Sequence, residues 1–131
     1  MNTSVIEQAR ASLAKKQVFK SSCSVPLLLD RIGSKWAILI IYALSQGTKR
    51  YSQLQQQIEG VSPKMLIQNL RKLEAARLVR RVIHPVVPPQ VDYSLTPLGE
   101  TLIDPLAVLY EWAENHVHEL NSVIIDDDLS S

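Results

Sequence analysis

The stretch YSQLQQQIEGVSPKMLIQNLRKLEAA, residues 51–76, decides the fold. Tyr51 to Ile58 is long enough for two helical turns. Glu59-Gly60-Val61 follows as a tight turn, with glycine where the backbone needs freedom. Ser62-Pro63 then opens a second helix. A serine oxygen accepts from an unpaired helix-start amide, and proline at the first helical position lacks an amide that would have no partner there. Leu66, Leu70 and Leu73 recur at i, i+4 and i+7 as the apolar stripe, which leaves Lys64, Gln68, Arg71 and Lys72 on the opposite side. Two short helices joined this way make a helix-turn-helix, expected over Tyr51–Ile58 and Ser62–Ala76.

Working toward the N-terminus, Trp36 to Ser45 is apolar nearly all round and reads as a buried helix stopped by Gly47. Pro26 to Ile32 is a shorter apolar helix ended by Gly33-Ser34. Ser4-Val5-Ile6-Glu7 matches a capping box, and Val5, Ala9 and Leu13 continue at helical spacing. A helix that short is marginal alone and needs something to pack on.

Working toward the C-terminus, the period changes. Leu78 to Ile83 is rich in β-branched residues, and Val91 to Leu95 alternates. Pro85, Pro88 and Pro89 lie between them, so the two strands read as a hairpin with a projecting loop, a wing. Thr96-Pro97 repeats the cap-plus-proline start. Leu98, Leu102, Leu106, Leu109, Ala113, Val117 and Leu120 mark a long helix that Pro105 kinks or splits. Residues 126–131 form an acidic tail expected to fray.

The 131 residues fit one compact domain with extra at the ends. No apolar run approaches the ~20 residues of a membrane helix. The N-terminus does not read as a secretory signal, and the single cysteine excludes an internal disulfide framework. The compartment these features suggest is a reducing cytoplasm. The formal net charge of +1 hides an asymmetry: residues 1–81 carry a balance of +10 and residues 82–131 one of −9. Such a split suits a polyanion-binding surface beside an acidic segment, although charges paired across a fold would give the same balance.

The order helix, helix, helix, hairpin, helix points to DNA. The second helix of a helix-turn-helix enters the major groove N-terminus first, where Lys64 and Gln68 share a face and Arg71 follows. Arg and Lys favour guanine edges and Gln pairs with adenine. The free amides behind Ser62 and Pro63 offer a phosphate site. Lys49, Arg50 and Ser52, with Arg80, Arg81 and His84 on the wing, are the remaining candidates for the DNA backbone. Each feature alone fits an ordinary solvated surface; together they favour DNA.

These residues also resemble a known family. Ile32-Gly33-Ser34-Lys35-Trp36, Lys49 to Leu54, Gly60 to Leu66, Leu70 to Glu74 and Val87 to Gly99 look like the HxlR-type bacterial winged-helix regulators, over Cys23 to about Trp112. The resemblance implies a mainly α fold with a small β-hairpin, a MarR-like winged helix-turn-helix with N- and C-terminal dimerisation helices. Its division would be an N-terminal extension over residues 1–22, the DNA-binding domain over 23–96, the dimerisation helix over 97–125 and the acidic tail. It also implies local transcription control, often repression, in answer to electrophiles, oxidants or small metabolites. Three features depart from the pattern: Ser34 replaces a second glycine, Cys23 and Pro26 are separated, and the extension is long.

The function expected is therefore a sequence-specific transcriptional regulator, a repressor, bound to an inverted-repeat operator as a homodimer. The stripe from Leu98 to Leu120 supports the dimer, being longer than one small core needs. Cys23 stands just before a helix, with Lys20 and Arg31 near it, where partial positive charge favours the thiolate. It also takes the family's sensor position. The ordinary reading is a small buried hydrophobe. A small-molecule effector with no redox role for Cys23, or a protein-interaction winged helix, are the alternatives. No cofactor or metal site is expected. His84, His116 and His118 lack catalytic company, and His116 and His118 point to different helix faces, so no enzyme is expected.

Overall fold

The computed structural model describes residues 3–15 and 24–130. Helix α1 spans Thr3–Lys15, and its described side chains are exposed. The main body runs α2 (Val25–Ile32), α3 (Lys35–Leu44), β1 (Lys49–Arg50), α4 (Tyr51–Gln57), α5 (Pro63–Ala75), β2 (Val79–His84), β3 (Gln90–Leu95), α6 (Pro97–Glu100) and α7 (Ile103–Ser130).

Helix α3 is the centre of the core. Ile40 and Ile41 are fully buried and share one cluster with Leu54 of α4 and with Leu66, Leu70 and Leu73 of α5. Burying one such side chain contributes roughly 1.5–3 kcal/mol, so this cluster holds the three helices together. The predicted leucine stripe of α5 is its inner face. A side-chain bond from Gln57 Nε2 to Gln46 Oε1, 2.9 Å, closes the outer edge between α4 and the end of α3.

The hairpin is antiparallel, registered from Val79↔Leu95 to His84↔Gln90, with the proline-bearing loop 85–89 at its tip. A third strand joins it. β1 pairs Lys49 with Tyr93 and Arg50 with Asp92, giving the order β1-β3-β2. Two residues carry no readable alternation; β1 is a strand because β3 offers it a free edge.

The helix expected from Leu98 to Leu120 is divided. α6 ends at Glu100 and α7 begins at Ile103, so the break precedes Pro105. Pro105 sits in the first turn of α7, where a missing amide loses no bond. Leu106 is the buried anchor of α7. The Tyr42 hydroxyl of α3 donates to the Leu106 carbonyl, and its ring meets Tyr110 edge-on at 6.0 Å. Burial, with a smaller contribution from Tyr110, raises the pKa of the Tyr42 hydroxyl. The helix then runs through the acidic residues 126–128.

Helix α5 closes with a left-handed turn. Arg77 takes φ 61°. Its amide donates to the Glu74 carbonyl, and the Leu78 amide donates to the Leu73 carbonyl, each at 2.9 Å. This satisfies the last helix carbonyls and aims the chain into β2. Here Thr96 ties three elements. Its hydroxyl donates to the Arg77 carbonyl at 2.7 Å and accepts from the Gly99 amide at 3.0 Å, while its own amide donates to the Leu78 carbonyl. Gly99 packs so closely that a Cβ there would lie 2.1 Å from the Leu78 oxygen. Gly99→Ala is therefore expected to destabilise the fold by about 2 kcal/mol or more, read as a lower denaturant midpoint at unchanged slope. A parent-like midpoint would mean that the α6–β2 junction is loose.

Candidate nucleic-acid interface

The turn between α4 and α5 works as the sequence requires. Gly60 has φ 86°, a conformation costly for other residues, and the Trp36 ring edge stands 3.9 Å from where its Cβ would be. The Ser62 hydroxyl accepts from the Met65 amide at 3.1 Å, and Pro63 is the first residue of α5. The rotation of α5 about its axis is set from inside. Asn69 is the buried polar residue of the core. Its Oδ1 accepts from the Ser34 hydroxyl at 2.7 Å and its Nδ2 donates to the Met65 carbonyl at 2.8 Å. Ser34 also caps α3 by accepting from the Ala37 amide at 3.0 Å.

With Asn69 and the leucines inward, Lys64, Gln68 and Arg71 are exposed together on the outer face of α5. They line one open depression with Ile67, Lys72 and Arg31 of α2. Lys72, which the helical spacing put on this side, is half-buried, whereas Arg31 was not among the residues that sequence assigned to this surface. Nothing in the spacing shows that α2 flanks α5.

The other expected residues fall into separate groups. Arg50 and Ser52 border a second depression with the wing loop, Val86 to Gln90. Lys49, next along β1, is half-buried. Arg80 and Arg81 are neighbours in β2 and therefore point to opposite faces of the sheet. Arg81 shares the face of buried Val79, and its Nε lies 3.4 Å from Glu74 Oε2 of α5. His84 is engaged as well: its Nε2 lies 2.8 Å from Asp92 Oδ2 across the hairpin. Sequence reasoning named neither partner, because the first pair depends on how the wing lies against α5 and the second on the register of the hairpin. Cys23 lies outside the described residues.

Among the described residues, no group of three or more His, Cys, Asp or Glu could hold a metal ion. No helix among them is long and apolar enough to cross a membrane.

The HxlR-like helix-turn-helix family model matches residues 31–121, which spans α3 through most of α7. The chain belongs to this family. The chain is similar to the HTH-type transcriptional regulator YtfH of Escherichia coli, 42% identical over 111 residues, 85% of this chain and 88% of that one. The structure of the regulator ytfH from Salmonella typhimurium matches with a TM-score of 0.74 at 42% identity, covering 82% and 96% of the two chains. The redox regulator HypR in its oxidised form matches with a TM-score of 0.65 at 38% identity, covering 71% and 96%. The resemblance seen in the sequence is thus borne out, as is the winged-helix fold, and this HxlR-like chain is a helix-turn-helix transcriptional regulator.

The wing of this HxlR-like regulator carries one acid-sensitive tie. The Asp92 carboxyl is held below its ordinary value of 3.8, first by the hydrogen bond from His84 and then by that from Gln90. A carboxylate whose folded pKa is depressed contributes stability above its unfolded pKa and loses it as pH falls through the folded value. The β2–β3 amide signals followed by NMR should show a step below about pH 4 as Asp92 takes up its proton. Asp92→Asn should remove that step; a step that persists in the variant would assign it to another group.

Proposed function

We propose that this chain is a sequence-specific repressor that binds an inverted-repeat operator as a homodimer. The observation that carries the proposal is the exposed Lys64–Gln68–Arg71 face of α5, behind a helix start capped by Ser62. These three side chains read base edges in the major groove, and the Lys64 amide, which the Ser62 cap on Met65 leaves available, holds a phosphate. Lys49, Arg50, Ser52 and Arg80 hold the DNA backbone on either side. Arg81 and His84 join that set only on leaving Glu74 and Asp92.

Apolar surface supports the dimer. Leu27 and Leu29 of α2, and Leu109, Tyr110 and Trp112 of α7, are each about half exposed or more, and large apolar side chains left exposed in groups mark protein–protein contact surfaces. Light scattering at micromolar concentration should give the mass of two chains, and a monomer mass would remove the dimer. In a dimer the two α5 helices stand ~34 Å apart or a multiple of it, one DNA turn, which requires an inverted repeat.

An operator selected from random duplexes tests the base-reading assignment. Arg71→Ala should weaken binding to it by ~1–3 kcal/mol, roughly 5- to 150-fold, and relax preference at one base pair. Arg50→Ala should weaken all sequences alike and flatten the dependence of log K on log salt by about 0.9. Unchanged operator affinity in Arg71→Ala would move the reading surface away from α5. Repression itself is tested by transcription in vitro from a promoter bearing the selected site.

The likeness to the redox regulator HypR favours a thiol-reactive signal taken up by Cys23. With one cysteine per chain, a disulfide must join two subunits or a small thiol, unless oxidation stops at the sulfenic acid. Diamide should release DNA from the parent and leave Cys23→Ser bound. Equal behaviour of the two proteins would leave a small-molecule effector as the signal.

A further inference from the structure

Glu74 is an acid on a surface otherwise lined by cations. It follows Arg71 by three residues on α5, and its carboxylate faces Arg81 of β2 at 3.4 Å. Arg71, Glu74, Ala75 and Arg81 line one depression, and Arg71 and Ala75 also line the depression that holds Lys64 and Gln68. The ion pair therefore stands at the edge of the α5 reading face. Buried Tyr93 stands opposite Arg81 in the β2–β3 ladder.

A carboxylate here opposes a phosphate backbone, and the pair is too exposed, at 46% and 38% of the two side chains, to matter much for folding. What it does fix is Arg81, the wing cation nearest α5. We propose that Glu74 withholds Arg81 from DNA phosphates and so acts as a specificity-determining residue, one that weakens sequence-independent binding. This inference rests on the DNA-binding reading above. Binding to arbitrary duplex is almost wholly a matter of cations meeting phosphates. A protein not held by base contacts can shift until any free arginine finds one. On its operator, contacts from Lys64, Gln68 and Arg71 fix the docking, and a freed Arg81 gains less. Occupying Arg81 internally therefore widens the difference between the two.

The test measures binding of the full chain to a random-sequence duplex and to the selected operator across salt concentrations. The proteins are the parent, Glu74→Gln, Arg81→Gln and the double variant. Glu74→Gln should bind the random duplex several-fold more tightly, with a log–log salt slope steeper by about 0.9, one added phosphate contact. The gain on the operator should be smaller, so the specificity ratio falls. The double variant should show no gain over Arg81→Gln. A gain that persists without Arg81 would mean simple repulsion by Glu74 and overturn the inference, as would an equal gain on both DNAs or no gain at all. A parent that shows no salt-dependent duplex binding would overturn the DNA-binding reading with it. Parent binding beside an inert Glu74→Gln would overturn this inference alone.

Discussion

One polar contact inside an apolar interface governs what the surface of this protein presents. The Ser34 hydroxyl donates to Asn69, and the Asn69 amide donates to the Met65 carbonyl. Leucines alone would let α5 roll against α3 with little penalty, since apolar packing is non-directional. A buried amide has fixed donor and acceptor directions, and leaving one unpaired costs about 1–3 kcal/mol. Asn69 therefore selects one rotation of α5. With Asn69 inward, Lys64, Gln68 and Arg71 face outward, and the start of α3 is locked to the same bond through the Ser34 cap. The serine that departs from the family's glycine pattern is thus the partner that settles which residues of α5 are displayed.

The second organising region is the knot around Thr96. Three backbone segments meet there: the left-handed exit of α5 at Arg77, Leu78 just before β2, and the entry to α6. Gly99 permits the approach, and the capping oxygen of Thr96 serves as donor and acceptor at once. The end of α5, the root of the wing and the start of the C-terminal helices therefore share one hydrogen-bonded junction rather than three separate turns.

Much of this was legible in the sequence, and what was legible shares a cause. The caps at Ser62 and Thr96, the turn at Gly60, the leucine stripe of α5 and the alternation of β3 are each determined by residues within one or two turns of one another. What escaped depends on distant parts of the chain. β1 exists only because β3 is beside it. The break between α6 and α7 falls at Thr101 and Leu102, ahead of Pro105, where no local pattern marks it. On the candidate surface, the exposed trio on α5 followed directly from helical spacing. The pairings of Arg81 with Glu74 and of His84 with Asp92 did not, and neither did the place of Arg31 on the same depression. A list of cations is readable from sequence, but which of them are already occupied is settled by tertiary packing.

The short interval between α6 and α7 gives the molecule its mechanics. On one side, α6 is clamped to β2 and, through Thr96, to the end of α5. On the other, α7 is held to α3 by Leu106, Tyr42 and Tyr110. Thr101 and Leu102 bridge two anchored bodies, their amides donating hydrogen bonds back to the Leu98 and Gly99 carbonyls of α6. A torque applied far along α7 thus acts on a lever whose short arm ends at these two residues. The long arm, continuing to Ser130, magnifies a small rotation at the fulcrum into a wide sweep at its tip.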